Sequence, residues 1–450
     1  MKIGLTIMEE KDYFEFLQVA VGNRKSLSVC VSDADWHRLF EFCKRQALIG
    51  VGFSAVEKLH AIGGVCPAAL RMRWMALALQ IEKQNALLNK QCSQLARRYE
   101  HDGLSTCILK GQGNSLNYPK GLRNRRQCGD IDVWTDCEKD IPIAVQTGKD
   151  KAEYVEYHGR QAVMEYVRMQ HRLEGNIEKP VIRYHHIEAP KIDGTEVEVH
   201  FRPYFAHSPL RNWRMQRWFK EHADVCMKNK THMGFAVPTA SVNVVYQMCH
   251  LFSHYFDEGL GLRQLMDYYF ALRVWHNDVM ECKDLHSQGM WSEGLGTPVM
   301  SAQEMMAVIR SFGMGKFAGA VMWVLNEVFV GVNENENGPR RTRRDTEGGP
   351  QADFVGEQVL ITDERLMIND YPWLLCEPNE REGRKLLAEI MKGGNFGQYD
   401  TRGAALKNGG MMKHGIWKLK RVMRLMGSYP EEALWEPVFR VWHLGWRLIH

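Results

Sequence analysis

The chain has 450 residues, 45% of them hydrophobic and 25% charged, and its 58 basic and 54 acidic residues give a net charge of +4. This composition excludes disorder as the main state and leaves room for two or three domains. The charge is too balanced to predict nucleic-acid binding by itself. Eleven cysteines with no CxxC pair fit neither a disulfide framework nor a zinc ribbon, so reduced thiols in a cytoplasmic protein are expected. The opening MKIGLTIMEEKDYF turns acidic too early for a signal peptide. The most apolar window, Phe317 to Val332, is too short to span a bilayer and reads as a buried helix.

Residues 1–103 are expected to form an N-terminal helical region. Ser32 can cap a helix in which Trp36, Leu39, Phe40, Cys43 and Ala47 recur at helical spacing. Pro67 suits the first turn of a longer helix that runs to about Glu100 and stops near Gly103. Residues 104–225 change character. A strand from Thr106 to Leu109 leads into a glycine turn (Gly111, Gly113), a short polar helix, a basic loop, and a second strand holding Asp130-Ile131-Asp132. A helix is expected over Glu153 to Gln170. Strands follow at Val181 to Glu188 and Thr195 to Phe201, joined by the turn Lys191-Ile192-Asp193-Gly194. Residues 226–450 return to helix: Ala240 to Tyr255, Leu262 to Trp275, and a helix ending at Met391-Lys392 before Gly393-Gly394. The polar stretch near 333–350 reads as a mobile surface loop.

The chemistry concentrates between Cys107 and Asp136. Side chains alternate along a strand, so Asp130 and Asp132 share a face about 7 Å apart, while Ile131 and Val133 face the other way. Two carboxylates so placed suit a shared hard cation, and Glu198 becomes a third if the strand Thr195 to Phe201 lies alongside. Gly111 and Gly113 would let backbone amides approach phosphate. Lys110, Arg123 and Arg126 are candidates for a phosphate clamp. Arg125 reads better as part of a solvated loop. His200, beside Glu198, is expected to support the ligand shell or touch the nucleotide.

These residues also carry a resemblance. Leu109-Lys110-Gly111, then Tyr118-Pro119, then Arg126 and Asp130-Ile131-Asp132 resemble the uncharacterised bacterial nucleotidyltransferase family of the LKG…YP…R…DID type. Glu198-Val199-His200-Phe201 is similar to its E-x-H-aromatic strand. His250, His254, Leu262-Arg263 and Asp267 are similar to its helical segment, and Gly393-Gly394-Asn395-Phe396-Gly397 and Tyr429-Pro430-Glu431-Glu432 to its late motifs. The resemblance implies an α+β fold: a polymerase-β-like core with a small mixed sheet, flanked by helical regions. It also implies Mg2+ and a nucleoside triphosphate, ATP being the expected one, with an acceptor that is unassigned. Asp130, Asp132 and Glu198 would take the metal and catalytic roles, and Gly111 the phosphate-cradling turn. One departure matters: the wider superfamily favours Gly-Ser at that turn, whereas Gln112 follows Gly111 here, with Ser115 a weak substitute.

Weaker patterns have blander readings. His250 and His254, one helical turn apart, face a cleft or satisfy buried hydrogen bonds more readily than they bind a metal. Arg263 and Asp267 read as an internal ion pair. The basic-aromatic tail, Lys413 to Arg424 and then Trp435, Phe439, Trp442 and Trp446, could grip RNA, but packing of its aromatics into the core is the ordinary expectation. No membrane partner is expected.

Overall fold

A computed structural model describes residues 8–146, 152–175, 180–287, 299–331, 373–402 and 410–449. Four helices come first: α1 Glu10–Val21, α2 Asp33–Arg45, α3 Ile49–Ala61 and α4 Ala68–His101. Ser32 caps α2 in a reciprocal box with Asp35, satisfying two amides that a helix start leaves unpaired. Pro67 precedes α4, and Gly103, at φ +88°, lies just beyond its end. Ala47 falls outside α2, at positive φ.

The sheet follows. Strand β1 (Ser105–Ile108) leads through the short helices α5 (Gln112–Ser115) and α6 (Lys120–Arg123) to β2 (Ile131–Asp136). Strands β3 (Ile141–Gln146) and β4 (Ala152–Tyr157) form a separate antiparallel hairpin, and α7 (Gly159–Leu173) comes next. Strands β5 (His186–Ile192) and β6 (Thr195–His200) complete a four-stranded sheet of order β1-β2-β6-β5, in which only the β2–β6 pair is parallel. The architecture is thus α+β, with a small mixed sheet and helical flanks.

Two expectations are corrected. Residues from Glu153 were expected as helix, but Ala152–Tyr157, with strand-favouring Tyr154, Val155 and Tyr157, pairs with β3; helix begins only at Gly159. The strand expected from Val181 begins at His186, because the chain bends at Tyr184 and His185 and only Ile182 makes an isolated bridge. That strand instead runs on to Ile192. The turn shrinks to Asp193-Gly194, both at positive φ (47° and 84°), the two-residue geometry that Asp-Gly favours.

The rest is helical: α8 Pro209–Glu221, α9 Ala223–Lys228, α10 Ala240–Asp257, α11 Leu262–Ser287, α12 Ala302–Ser311, α13 Gly315–Leu325 and α14 Glu380–Gly393, then Met411–Leu425 and Pro430–Ile449. The apolar window from Phe317 is buried helix, continued by a π-turn over Asn326–Val330. No helix among the described residues is long and apolar enough to cross a membrane. The stretch 333–350 lies outside the described residues.

Alternation along the strands divides the packing. Ile131 and Val133, Ile187 and Ala189, and Val197 and Val199 pack with the second half of α4 and with α7 in one apolar cluster. A larger cluster runs from Met8 to Ala433 and joins the helices before the sheet to those after it, taking in Cys107 and Trp134. Between these apolar positions, Asp132 of β2 and Glu198 of β6 face a cavity.

Candidate functional site

Registration of β2 beside β6 sets the site. Asp132 pairs with Glu198, and Trp134 with His200. On the other side of β6, His186 pairs with His200 and Glu188 with Glu198. A cavity of about 420 Å³ opens here, lined by Lys110, Gly111, Asp130, Asp132 and Glu198 together with residues of α10, α11 and the C-terminal helices. Asp130, just before β2, is solvent-exposed, whereas Asp132 is buried.

Asp132 is held on two sides. Lys110 Nζ lies 2.6 Å from its Oδ1, and His200 Nε2 lies 3.0 Å from the same oxygen. Burial pushes the Asp132 carboxyl up, but Lys110 and the His200 bond outweigh burial and leave it below the ordinary value. Glu198 behaves alike: burial raises it, while the His200 bond and Lys110 bring it down to about 2. Asp130 moves the other way, raised chiefly by the charge on Asp132. His200 is disfavoured as a cation by burial, yet its bonds to Asp132 and Glu198 hold it above the usual imidazole range.

One ligand atom each from Asp132, Glu198 and His200 lies within 4.8 Å of the others. Two carboxylates this close, with a third at the rim, are a donor set that suits a hard divalent cation. Lys110 supplies the compensating positive charge at Asp132. Lys110 offsets only part of the negative charge of three carboxylates, and the remainder is what a divalent cation would neutralise.

Gly111 adopts φ +52°, and a Cβ there would meet the Asp130 carbonyl oxygen at 3.2 Å, so the turn lies directly against the aspartates and only glycine adopts it without strain. Gly113 does not line the cavity; a Cβ there would meet the Ile108 carbonyl oxygen at 2.5 Å, so its smallness serves the packing of α5 on β1. Gln112 turns away from the cavity, donating to the Asn85 carbonyl (3.0 Å) and Asn89 Oδ1 (2.7 Å). Ser115 Oγ donates to the Gln112 carbonyl at 2.8 Å. Asn114 is the side chain of α5 that lines the cavity, and its buried Oδ1 has no hydrogen-bond partner.

The arginines separate. Arg123 donates to the Leu116 carbonyl at 3.0 Å and does not line the cavity. Arg125 is tied to Glu57 and Glu82. Arg126 reaches the cavity wall, but its Nε and Nη2 are spent on the two oxygens of Asp267 (2.6 and 2.7 Å). Tyr118 Oη donates to the same carboxylate at 2.7 Å. Asp267 therefore pairs with Arg126 rather than with Arg263, whose guanidinium donates to the Gln127 carbonyl and lies over the Phe396 ring. The Tyr-Pro, Arg and Asp pieces of the pattern thus form one buried network behind the aspartates.

His250 and His254 line the cavity with ring centroids 4.3 Å apart. Phe396 joins the same wall. Tyr429 is buried, and the glutamates after Pro430 tie the last helix down through His207 and Arg211. In the tail, Trp417 is buried and Phe439 lines the cavity, but Trp442 is 49% exposed. Sequence reasoning missed His185, His186, Tyr204, Ser253, Asp257 and Arg440 on the cavity wall. The one usable signal was the His185-His186 pair, obscured by the misplaced start of β5.

No curated protein and no solved structure matches the chain. A family described as an uncharacterised nucleotidyltransferase matches residues 32–288, more than half of the chain, spanning β1 through α11 and with them Asp130, Asp132, Glu198 and Asp267. The chain therefore belongs to this uncharacterised nucleotidyltransferase family.

Proposed function

We propose that the protein is a Mg2+-dependent nucleotidyltransferase that moves NMP from an NTP, ATP being the expected donor, to a hydroxyl or phosphate acceptor. The observation that carries this reading is the pairing of Asp132 with Glu198 across the parallel strands, with Asp130 at the cavity rim. Asp130, Asp132 and Glu198 would hold the ion, which when bound neutralises triphosphate charge and favours attack on the α-phosphate. Lys110 is within reach to exchange Asp132 for a phosphate oxygen, and Gly111 lets the backbone approach. A carboxyl held as low as that of Glu198 makes a better ligand than base. His200 fixes the Asp132 carboxylate from behind. Residues 104–225 would be the catalytic unit, and the helices after it the wall against which the acceptor docks.

Pyrophosphate release or labelled NMP transfer tests the reading. It is expected in the wild type with Mg2+ and lost in the Asp130→Ala, Asp132→Ala double variant. Transfer retained in that variant would discard the mechanism.

A second reading is a catalytically weak nucleotide- or RNA-binding module on the same fold. It is favoured by one observation: Gln112 and Ser115 both turn away from the cavity, so neither offers a side chain to triphosphate. Binding of NTP without Mg2+ and without turnover supports this alternative.

A further inference from the structure

The register that brings Asp132 to Glu198 also brings imidazoles together on the far side of β6. His186 on β5 is the cross-strand partner of His200 on β6, and a bend at Tyr184-His185 swings His185 to the same place. One ring nitrogen from each of His185, His186 and His200 lies within 4.8 Å of one from the others. Ring centroids are 4.4 to 5.2 Å apart, and the planes are inclined by 54° to 77° rather than stacked.

Packing alone does not account for this grouping. His186 is 4% exposed and His200 1%. Each of the three rings keeps one buried nitrogen with no hydrogen-bond partner: Nδ1 of His185, Nε2 of His186 and Nδ1 of His200. The nitrogens that face one another are the other ones: His185 Nε2 lies 3.1 Å from His186 Nδ1. Carboxylates stand beside two of these rings. His200 Nε2 lies 3.0 Å from Asp132 Oδ1 and 3.6 Å from Glu198 Oε2. An acidic oxygen is at hand, since Glu198 Oε2 lies 3.4 Å from His186 Nδ1.

We infer that His185, His186 and His200, with Glu198 as the acidic donor, form a binding site for a borderline first-row transition ion such as Zn2+, Co2+ or Fe2+. Imidazole donors prefer such ions, whereas Mg2+ prefers oxygen. The site shares Glu198 and His200 with the carboxylate site proposed for nucleotidyl transfer and differs from it in the imidazoles of His185 and His186. It does not rest on that activity.

The test uses the full chain, stripped with a chelator, kept reduced, and titrated with Co2+ alone. The expected result is one equivalent bound, with the visible absorption of a nitrogen-ligated ion, no thiolate charge-transfer band, and displacement by Zn2+ but not by a thousandfold excess of Mg2+. His185→Phe and His186→Phe keep a ring in place, and each should weaken Co2+ binding at least tenfold. His185→Gln and His186→Gln serve if the phenylalanine variants misfold, as judged by circular dichroism. A wild type that binds no Co2+, a spectrum unchanged in the folded double variant, or ready displacement by Mg2+ would each overturn the site. Because no nucleotide is present, loss of this site and loss of nucleotidyl transfer are read independently.

Discussion

Asp132 meets three demands at once: it is buried, it holds Lys110 and His200, and it stands beside Glu198. Asp132→Asn keeps the shape but removes the charge, so transfer should fall by about a hundredfold or more, measured as kcat for pyrophosphate release. Glu196, two residues before Glu198 but exposed and paired with Lys191, is the control; Glu196→Gln should leave the rate within about twofold. Asp267 answers a different demand. With Arg126 at 2.6 and 2.7 Å and Tyr118 at 2.7 Å it is a buried anchor, and Asp267→Ala would strand a buried guanidinium. That variant should lose roughly 3–5 kcal/mol of stability in urea unfolding. The aspartates and Glu198 were legible from the period of two along a strand. The partner of Arg126 was not, since it lies 141 residues away on another helix, and local spacing offered Arg263 instead.

At the scale of elements, boundaries marked by a cap, a proline or a glycine were legible: Ser32, Pro67 and Gly394 lie where their backbone chemistry requires. The β3–β4 hairpin was not, because residues 153–157 lack the two-residue alternation that marks a strand, and only their pairing with β3 makes them one. The turn Asn395–Gly397 shows how a loop builds the cavity wall. Gly397 has φ +62°, and a Cβ there would meet the Glu258 carbonyl oxygen at 2.1 Å. Gly397→Ala should therefore cost roughly 1–3 kcal/mol and disturb Phe396, checked by thermal unfolding and by the KM for nucleotide. The last helix is tied to the fold by His207, whose Nδ1 lies 2.6 Å from Glu432 Oε1. Burial would lower that imidazole, but Glu432 more than offsets it, so the folded value is above 6.5. The stability this adds is full below about pH 6.5 and is lost as pH rises through the raised folded value. The difference in urea midpoint between wild type and His207→Gln should accordingly shrink as pH is raised.

Across the whole molecule, one apolar core joins the helices on both sides of the sheet, and the cavity lies where that core gives way to polar strand positions. The pattern of elements foretold an α+β chain, but not which late helices would close over the aspartates, because closure depends on long-range pairs such as Arg421 with the Tyr255 and Phe256 carbonyls and Arg440 with Asp257. Nucleotidyl transfer in this cavity would depend on acidic groups from β6 and from the start of β2 acting together on one cation and its nucleotide. Calorimetric titration of the four NTPs into wild type and Asp132→Asn, each with Mg2+ and with chelator, tests that dependence without needing the acceptor. The account predicts binding that requires Mg2+ and falls at least tenfold in the variant; equal affinity in chelator, or in Asp132→Asn, would contradict it.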